Sequence, residues 1–263
     1  MSDFFTTEIS EQTGDNLRYI TLKSNALKKR ADITVFIPPD TREIAGVVIL
    51  LHGVYGSHWA WSLKGRVHET AQKLIDTGQI KPMLLVMPSD GLFADGSAYL
   101  PHKTEDYEKW IVEDVIAVVK EQFDLVHQNT PFFITGLSMG GFGALRLGAK
   151  YSHLFKAFSG LSSITEFSQM KLFVEDFEGL EKSVTVTSSV LEEILLNEAN
   201  VAPFRFDCGC DDILIEQNRK LHKHLEEHGI KHIYKENAGS HQWDYWEKHI
   251  VDSLLFFEEY TLS

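Results

Sequence analysis

The hydrophobic pattern of this chain changes texture along its length. Near the start, Leu17 to Lys23 and Ala31 to Pro38 mix β-branched and aromatic residues with polar ones, and Pro38-Pro39-Asp40 closes the second run. Both stretches predict strands. From residue 46 the runs become wholly apolar. Gly46-Val-Val-Ile-Leu-Leu51, Met83-Leu-Leu-Val-Met87 and Phe132-Phe-Ile-Thr135 read as parallel strands buried on both faces. Ala202 to Cys208 is a weaker case, and His232 to Glu236 reads as a last strand.

Between these runs, apolar residues at three- and four-residue spacing predict helices over Val67–Thr77 and Trp110–Phe123. Gly140 to Lys150 is rich in small residues, Ile213 to His228 stops at Gly229, and Trp243 to Tyr260 is a last helix. The alternation predicts an α/β fold: one domain over residues 1–263, with a mostly parallel central sheet covered by helices on both faces. In such sheets chemistry collects at the carboxyl ends of the strands. Residues 162–200 interrupt the alternation, with Phe167, Phe173, Val174 and Phe177 among many acids. Two readings fit: a cap or lid over the active site, or an ordinary pair of surface helices.

Composition then removes several function classes. The chain carries 38 acids against 25 bases, a formal charge of −13. Such a surface repels phosphate backbones and anionic membranes, which argues against nucleic-acid and membrane partners and mildly favours neutral or cationic small molecules. The first ten residues lack the basic and apolar regions of a leader, and no apolar run reaches the length of a membrane span. Cys208 and Cys210, one residue apart, suit neither a disulfide framework nor a four-ligand zinc site. A cytoplasmic protein with reduced thiols is expected. Homo-oligomerisation is left open.

The chemistry centres on Pro131-Phe-Phe-Ile-Thr-Gly-Leu-Ser-Met-Gly-Gly-Phe-Gly143. It holds Gly136-x-Ser138-x-Gly140 between an apolar strand and a small-residue helix, the setting a nucleophile elbow requires. A serine hydroxyl needs a base oriented by a third group, and in this fold the acid and then the histidine follow the serine. Asp211 and Asp212 end a candidate strand, and His241 sits in the loop Asn237-Ala-Gly-Ser-His-Gln-Trp243 after the last one. The six other histidines beyond Ser138 fall on helical patterns or strand edges. His224-Leu-Glu-Glu-His228 formally matches a zinc-protease signature but lies on an amphipathic surface helix, so no metal is expected. An oxyanion hole would combine the backbone N–H groups of Val54, in His52-Gly-Val-Tyr-Gly56, and Met139. His52, Gly53, Tyr55, Trp59, Tyr99 and Trp243 are the candidate substrate-binding residues. His52 has a plainer alternative role, hydrogen-bonding its own loop.

Four blocks together resemble the putative-esterase family of α/β-hydrolases: Leu50-Leu-His-Gly53 with Gly56 and Trp61; Met87-Pro-Ser-Asp-Gly91 followed by Tyr99; Gly136-Leu-Ser-Met-Gly-Gly141; and Cys208-Gly-Cys-Asp-Asp212 with Leu214, then His241-x-Trp243-x-x-Trp246. That family groups esterase D (S-formylglutathione hydrolase), tributyrin, feruloyl and acetyl-xylan esterases, enterochelin esterase and mycobacterial mycolyltransferases. The resemblance implies an α/β-hydrolase fold and a carboxylesterase acting without metal or cofactor, with Ser138, Asp212 (not Asp211) and His241 as its triad. It is nearest the branch that hydrolyses short acyl esters. An acyltransferase and an S-formylglutathione hydrolase-like thioesterase would use the same triad. A non-catalytic binding protein is the rival from another class, and it would have no need to keep the three residues together.

Overall fold

The computed structural model describes residues 7–261. The first six residues, on which the reading of the N-terminus partly rests, and the last two lie outside the described residues. Nine strands form one sheet in the order β1-β2-β3-β5-β4-β6-β7-β8-β9. These are β1 (Thr7–Ile9), β2 (Leu17–Lys23), β3 (Arg30–Phe36), β4 (Gly46–Leu51), β5 (Met83–Pro88), β6 (Phe132–Gly136), β7 (Phe155–Leu161), β8 (Phe204–Gly209) and β9 (Ile233–Asn237). β1, β2 and β3 pair antiparallel, as does β3 with β5, and every pairing from β5 to β9 is parallel.

The apolar strands read as double-faced are buried at every position, β4, β5 and β6 alike. Their side chains alternate between two cores, as a pleated strand requires. Val47, Ile49 and Leu51 join one core, and Val48 and Leu50 the other. Helices α1 (Ala60–Leu63), α2 (Val67–Asp76) and α9 (Trp243–Glu258) pack on the second face. The first face carries α3 (Tyr107–Lys109), α4 (Ile116–Gln122), α5 (Met139–Lys150), α6 (Phe177–Ser183), α7 (Val190–Leu196) and α8 (Ile215–Glu227). A π turn, Trp110–Val115, joins α3 to α4 where one uninterrupted α-helix was expected. Among the described residues, no helix is long and apolar enough to cross a membrane.

Strand β7 is absent from the pattern-based reading because Lys156, Ser159 and Gly160 break up its apolar residues: Phe-Lys-Ala-Phe-Ser-Gly-Leu. It is a strand because both of its neighbours and both helix layers demand one. β6 and β8 flank it, Gly148 of α5 lies so close that a Cβ there would meet Phe158 at 2.2 Å, and Ser159 donates to Ser253 of α9 (2.9 Å).

Beneath this region lies a buried polar cluster. Arg205 of β8 pairs with Asp207 at 2.9 Å and donates to Ser253 at 3.0 Å, while Tyr245 donates to Asp207 at 2.8 Å. Both charges are almost wholly buried. Burial outweighs the arginine and pushes the Asp207 carboxyl up to about 6. A raised carboxyl stabilises the fold fully below its unfolded value, and that contribution is lost as pH rises from about 4 through about 6. Arg205→Met leaves Asp207 uncompensated and is expected to cost about 3–5 kcal/mol at pH 8. The cost should shrink at pH 5, where the carboxyl can take a proton, and urea unfolding at the two pH values measures the difference.

Candidate active site

The carboxyl ends of β4, β6 and β8 and the loop after β9 converge on one spot. At the end of β6 the chain turns into α5 with almost no room. A Cβ on Gly136 would lie 2.3 Å from the Gly140 carbonyl oxygen, and one on Gly140 would lie 2.2 Å from that of Leu51. Neither position admits a side chain, because the obstacle is backbone. Ser138, between them, takes φ 54° and ψ −117°, a conformation that costs a non-glycine residue on the order of 1–3 kcal/mol. The turn is held by Ser138 N–H to Leu161 O (3.0 Å) and by the Phe142 and Ile164 N–H groups donating to Ser138 O (3.0 and 3.2 Å).

The structure brings Ser138, His241 and Asp212 together. His241 Nδ1 lies 3.0 Å from both carboxylate oxygens of Asp212, and its Nε2 lies 2.9 Å from Ser138 Oγ. The carboxylate can only accept, so Nδ1 carries the proton and Nε2 accepts the serine hydroxyl. Asp212 is buried and also takes the Leu214 N–H at 2.8 Å, whereas the neighbouring Asp211 is exposed. Val54 and Met139 present backbone N–H groups that have no protein acceptor among the described residues. Such an arrangement can deprotonate a hydroxyl and hold an oxyanion.

A cleft of about 200 Å³ opens over Ser138, lined by Gly53, Val54, Tyr55, Trp59, Lys64, Trp243 and their neighbours. Two predicted substrate-binding residues are not in its lining. His52 is buried behind the loop, its Nδ1–H donating to Gly53 O (2.7 Å) and its Nε2 accepting from Asp90 N–H (2.9 Å). Burial holds it below the usual imidazole value, so it stays neutral. Tyr99 is equally buried, and its hydroxyl donates to His52 O at 3.0 Å. Both residues brace the Val54 loop from beneath instead of touching substrate. Asp90 completes the brace by accepting the N–H groups of Leu92 (2.9 Å) and Ser97 (2.7 Å).

Several lining residues lie outside the predicted substrate-binding set, and two of them, Trp246 and Phe173, meet His241. Trp246, on the last helix, is buried among core residues, yet its ring meets His241 edge-on at 5.0 Å. Phe173 belongs to the 162–200 segment, which folds into a 3-10 turn (Phe167–Leu172), α6 and α7. Its ring stacks on His241 with centroids 5.0 Å apart, and two residues on, Glu175 N–H donates to Asp95 (2.7 Å) beside Tyr55. The signal was a phenylalanine-rich stretch at the right place, without a periodicity to say which ring faces inward.

Residues 24–257 match the putative-esterase family. The chain belongs to that family. It is accordingly an ester-hydrolysing enzyme. An acetyl esterase from Caldicellulosiruptor saccharolyticus is 26% identical, with 89% of this chain and 95% of that protein aligned. Among solved structures, a fluorophosphonate-binding serine hydrolase of Staphylococcus aureus, FphF, superposes with TM-score 0.79 at 21% identity, covering 91% of this chain and 97% of that one. A ferulic acid esterase gives 0.78 at 22%, covering 97% and 98%. An S-formylglutathione hydrolase of the same Staphylococcus species gives 0.75 at 20%, covering 96% and 99%. The fold is that of the α/β-hydrolases.

Tyr99→Phe tests the brace. It strands a buried carbonyl and is expected to cost about 1–3 kcal/mol of stability. Because the Val54 loop loosens, kcat should fall more than KM rises, a split that steady-state kinetics on any turned-over ester would show.

Proposed function

We propose that the protein is a serine carboxylesterase of short acyl esters, with Ser138 as nucleophile, His241 as general base and acid, and Asp212 as the group that fixes the imidazole tautomer. The observation that carries this reading is the unbroken hydrogen-bond line from Asp212 through His241 to the Ser138 hydroxyl. Ser138 Oγ gives its proton to His241 Nε2 and attacks the ester carbonyl. The carbonyl oxygen takes the negative charge between the Val54 and Met139 N–H groups. His241 returns the proton to the leaving alcohol, and water then repeats the cycle on the acyl-enzyme. Similarity to an acetyl esterase along nearly its whole length supports the short-acyl preference. So does the size of the cleft, about 200 Å³ and walled by Trp59, Phe173, Trp243 and Trp246.

Ser138→Ala is expected to lower kcat on 4-nitrophenyl acetate by about three to six decades with folding intact, as circular dichroism would report. Asp212→Asn should cost about four decades by favouring the wrong tautomer, and Asp211→Asn little. If Asp211 proves the sensitive residue, the acid has been misassigned.

Chain-length dependence tests the substrate class. A pocket able to bury each added methylene gains about 0.8 kcal/mol per step, so kcat/KM would climb steadily with acyl length. A shallow cleft instead gives an optimum between acetyl and butyryl and a fall beyond it. Rates on 4-nitrophenyl esters from C2 to C12 decide, and an optimum at C8 or longer contradicts the short-acyl reading.

A further inference from the structure

Ester hydrolysis needs no cation at the mouth of the cleft, yet Lys64 stands there. Among the described residues it is the one lining residue that carries a permanent charge, and none of the cleft's lining is an aspartate or glutamate. In a chain with 38 acids and 25 bases this is the reverse of the overall balance. Lys64 follows α1, its N–H donating to Ala60 O (3.0 Å), and its ammonium lies 6.0 Å from the centre of the Trp243 ring. The backbone beneath it is fixed. A Cβ on Gly65 would meet Trp243 at 2.9 Å and Trp61 at 3.0 Å, so the two indoles clamp the chain beside the lysine. The lysine has no carboxylate partner among the described residues. Across the cleft, the Asp95 carboxylate accepts the Glu175 N–H (2.7 Å). Desolvation, Asp95 and Glu175 together raise the Tyr55 hydroxyl's pKa, so the negative charge on that side sits by Tyr55 and not by Lys64.

We propose that Lys64 is a specificity-determining residue that binds a carboxylate carried by the ester substrate, on the part that lies along the Trp59–Trp243 wall. An aromatic wall ending in an ammonium suits a compact apolar or ring-shaped group ending in an anion. The net charge of −13 does not forbid this, because at physiological salt the diffuse field fades over about 8 Å, while a carboxylate in contact with Lys64 lies well inside that range. Overall charge sets how often an anionic ester arrives, and Lys64 sets how well it is held.

The proposal rests on Ser138 as nucleophile, and its test uses two matched ester pairs. One is 4-nitrophenyl butyrate against 4-nitrophenyl hydrogen succinate, with the carboxylate in the acyl half. The other is phenyl acetate against 4-acetoxybenzoate, with the carboxylate in the leaving half. For each pair the anionic-to-neutral ratio of kcat/KM is compared between wild type and Lys64→Gln, Lys64→Glu and Lys64→Arg, so that differences in intrinsic reactivity cancel. In one pair the ratio should fall about three- to fivefold in Lys64→Gln and further in Lys64→Glu, mainly through KM, and be largely kept in Lys64→Arg. In wild type that same ratio should fall as NaCl rises from about 20 to about 500 mM. A loss in the succinate pair assigns the carboxylate to the acyl half, and a loss in the acetoxybenzoate pair to the leaving half. Ratios unmoved in both pairs by either charge-removing variant overturn the proposal and leave Lys64 a solvated rim residue. The underlying reading fails separately, by full turnover of the neutral esters in Ser138→Ala.

Discussion

Everything at this site depends on one close approach of backbone to backbone. Strand β6 enters the turn and α5 leaves it with the Gly136 and Gly140 Cα atoms pressed against carbonyl groups, at distances where any Cβ would collide. The constraint acts in two ways. It forces Ser138 into a backbone conformation a serine would not choose, and it sets Ser138 at the N-terminus of α5, where the first N–H groups and the positive end of the helix dipole favour negative charge. The strain is held because Ser138 is bonded on both sides, through its N–H to β7 and through its carbonyl to α5 and the chain after β7. A strand pair and a helix that packed less tightly would let the serine relax away from His241.

The surrounding residues can be read by what they hold in place. His52, Tyr99 and Asp90 form a buried bracket beneath the loop that presents Val54, and Trp61 donates to Leu51 O (3.0 Å) where β4 ends. Trp246 and Phe173 meet the His241 ring on its edge and its face. An imidazole confined by two aromatic rings and anchored at Nδ1 has little freedom to leave the line between carboxylate and hydroxyl. The 162–200 segment therefore lines the cleft with one ring, holds the Ser138 carbonyl through the Ile164 N–H, and is tied to the Val54 side through Asp95.

Much of this was legible from residue order. Continuous apolar runs mark strands buried on both faces because nothing polar can face a helix layer, and β4, β5 and β6 are of that kind. The serine motif was readable because glycines at 136 and 140 are sterically required. What stayed hidden depends on three-dimensional neighbours. β7 is a strand through the tight packing of Phe158 against Gly148 and of Ser159 against Ser253, which no periodicity records. The residues His52 and Tyr99 carry groups that could touch a substrate as well as a backbone carbonyl, and only the packing turns them inward. Phe173 could not be told from Phe167 or Phe177 in a short irregular stretch, although only Phe173 reaches the cleft. The choice between adjacent Asp211 and Asp212 came from resemblance, since pattern alone treats the two alike.

The central claim is that Ser138 is the activated nucleophile, and covalent capture tests it without reference to any substrate. The protein is treated with a fluorophosphonate at neutral pH, and the adduct is located by peptide mass spectrometry. A single adduct on Ser138, absent when the protein is unfolded before treatment and slowed by Asp212→Asn, is the expected result. Adduct on another residue, or ester turnover that continues while Ser138 stays unmodified, would contradict the account.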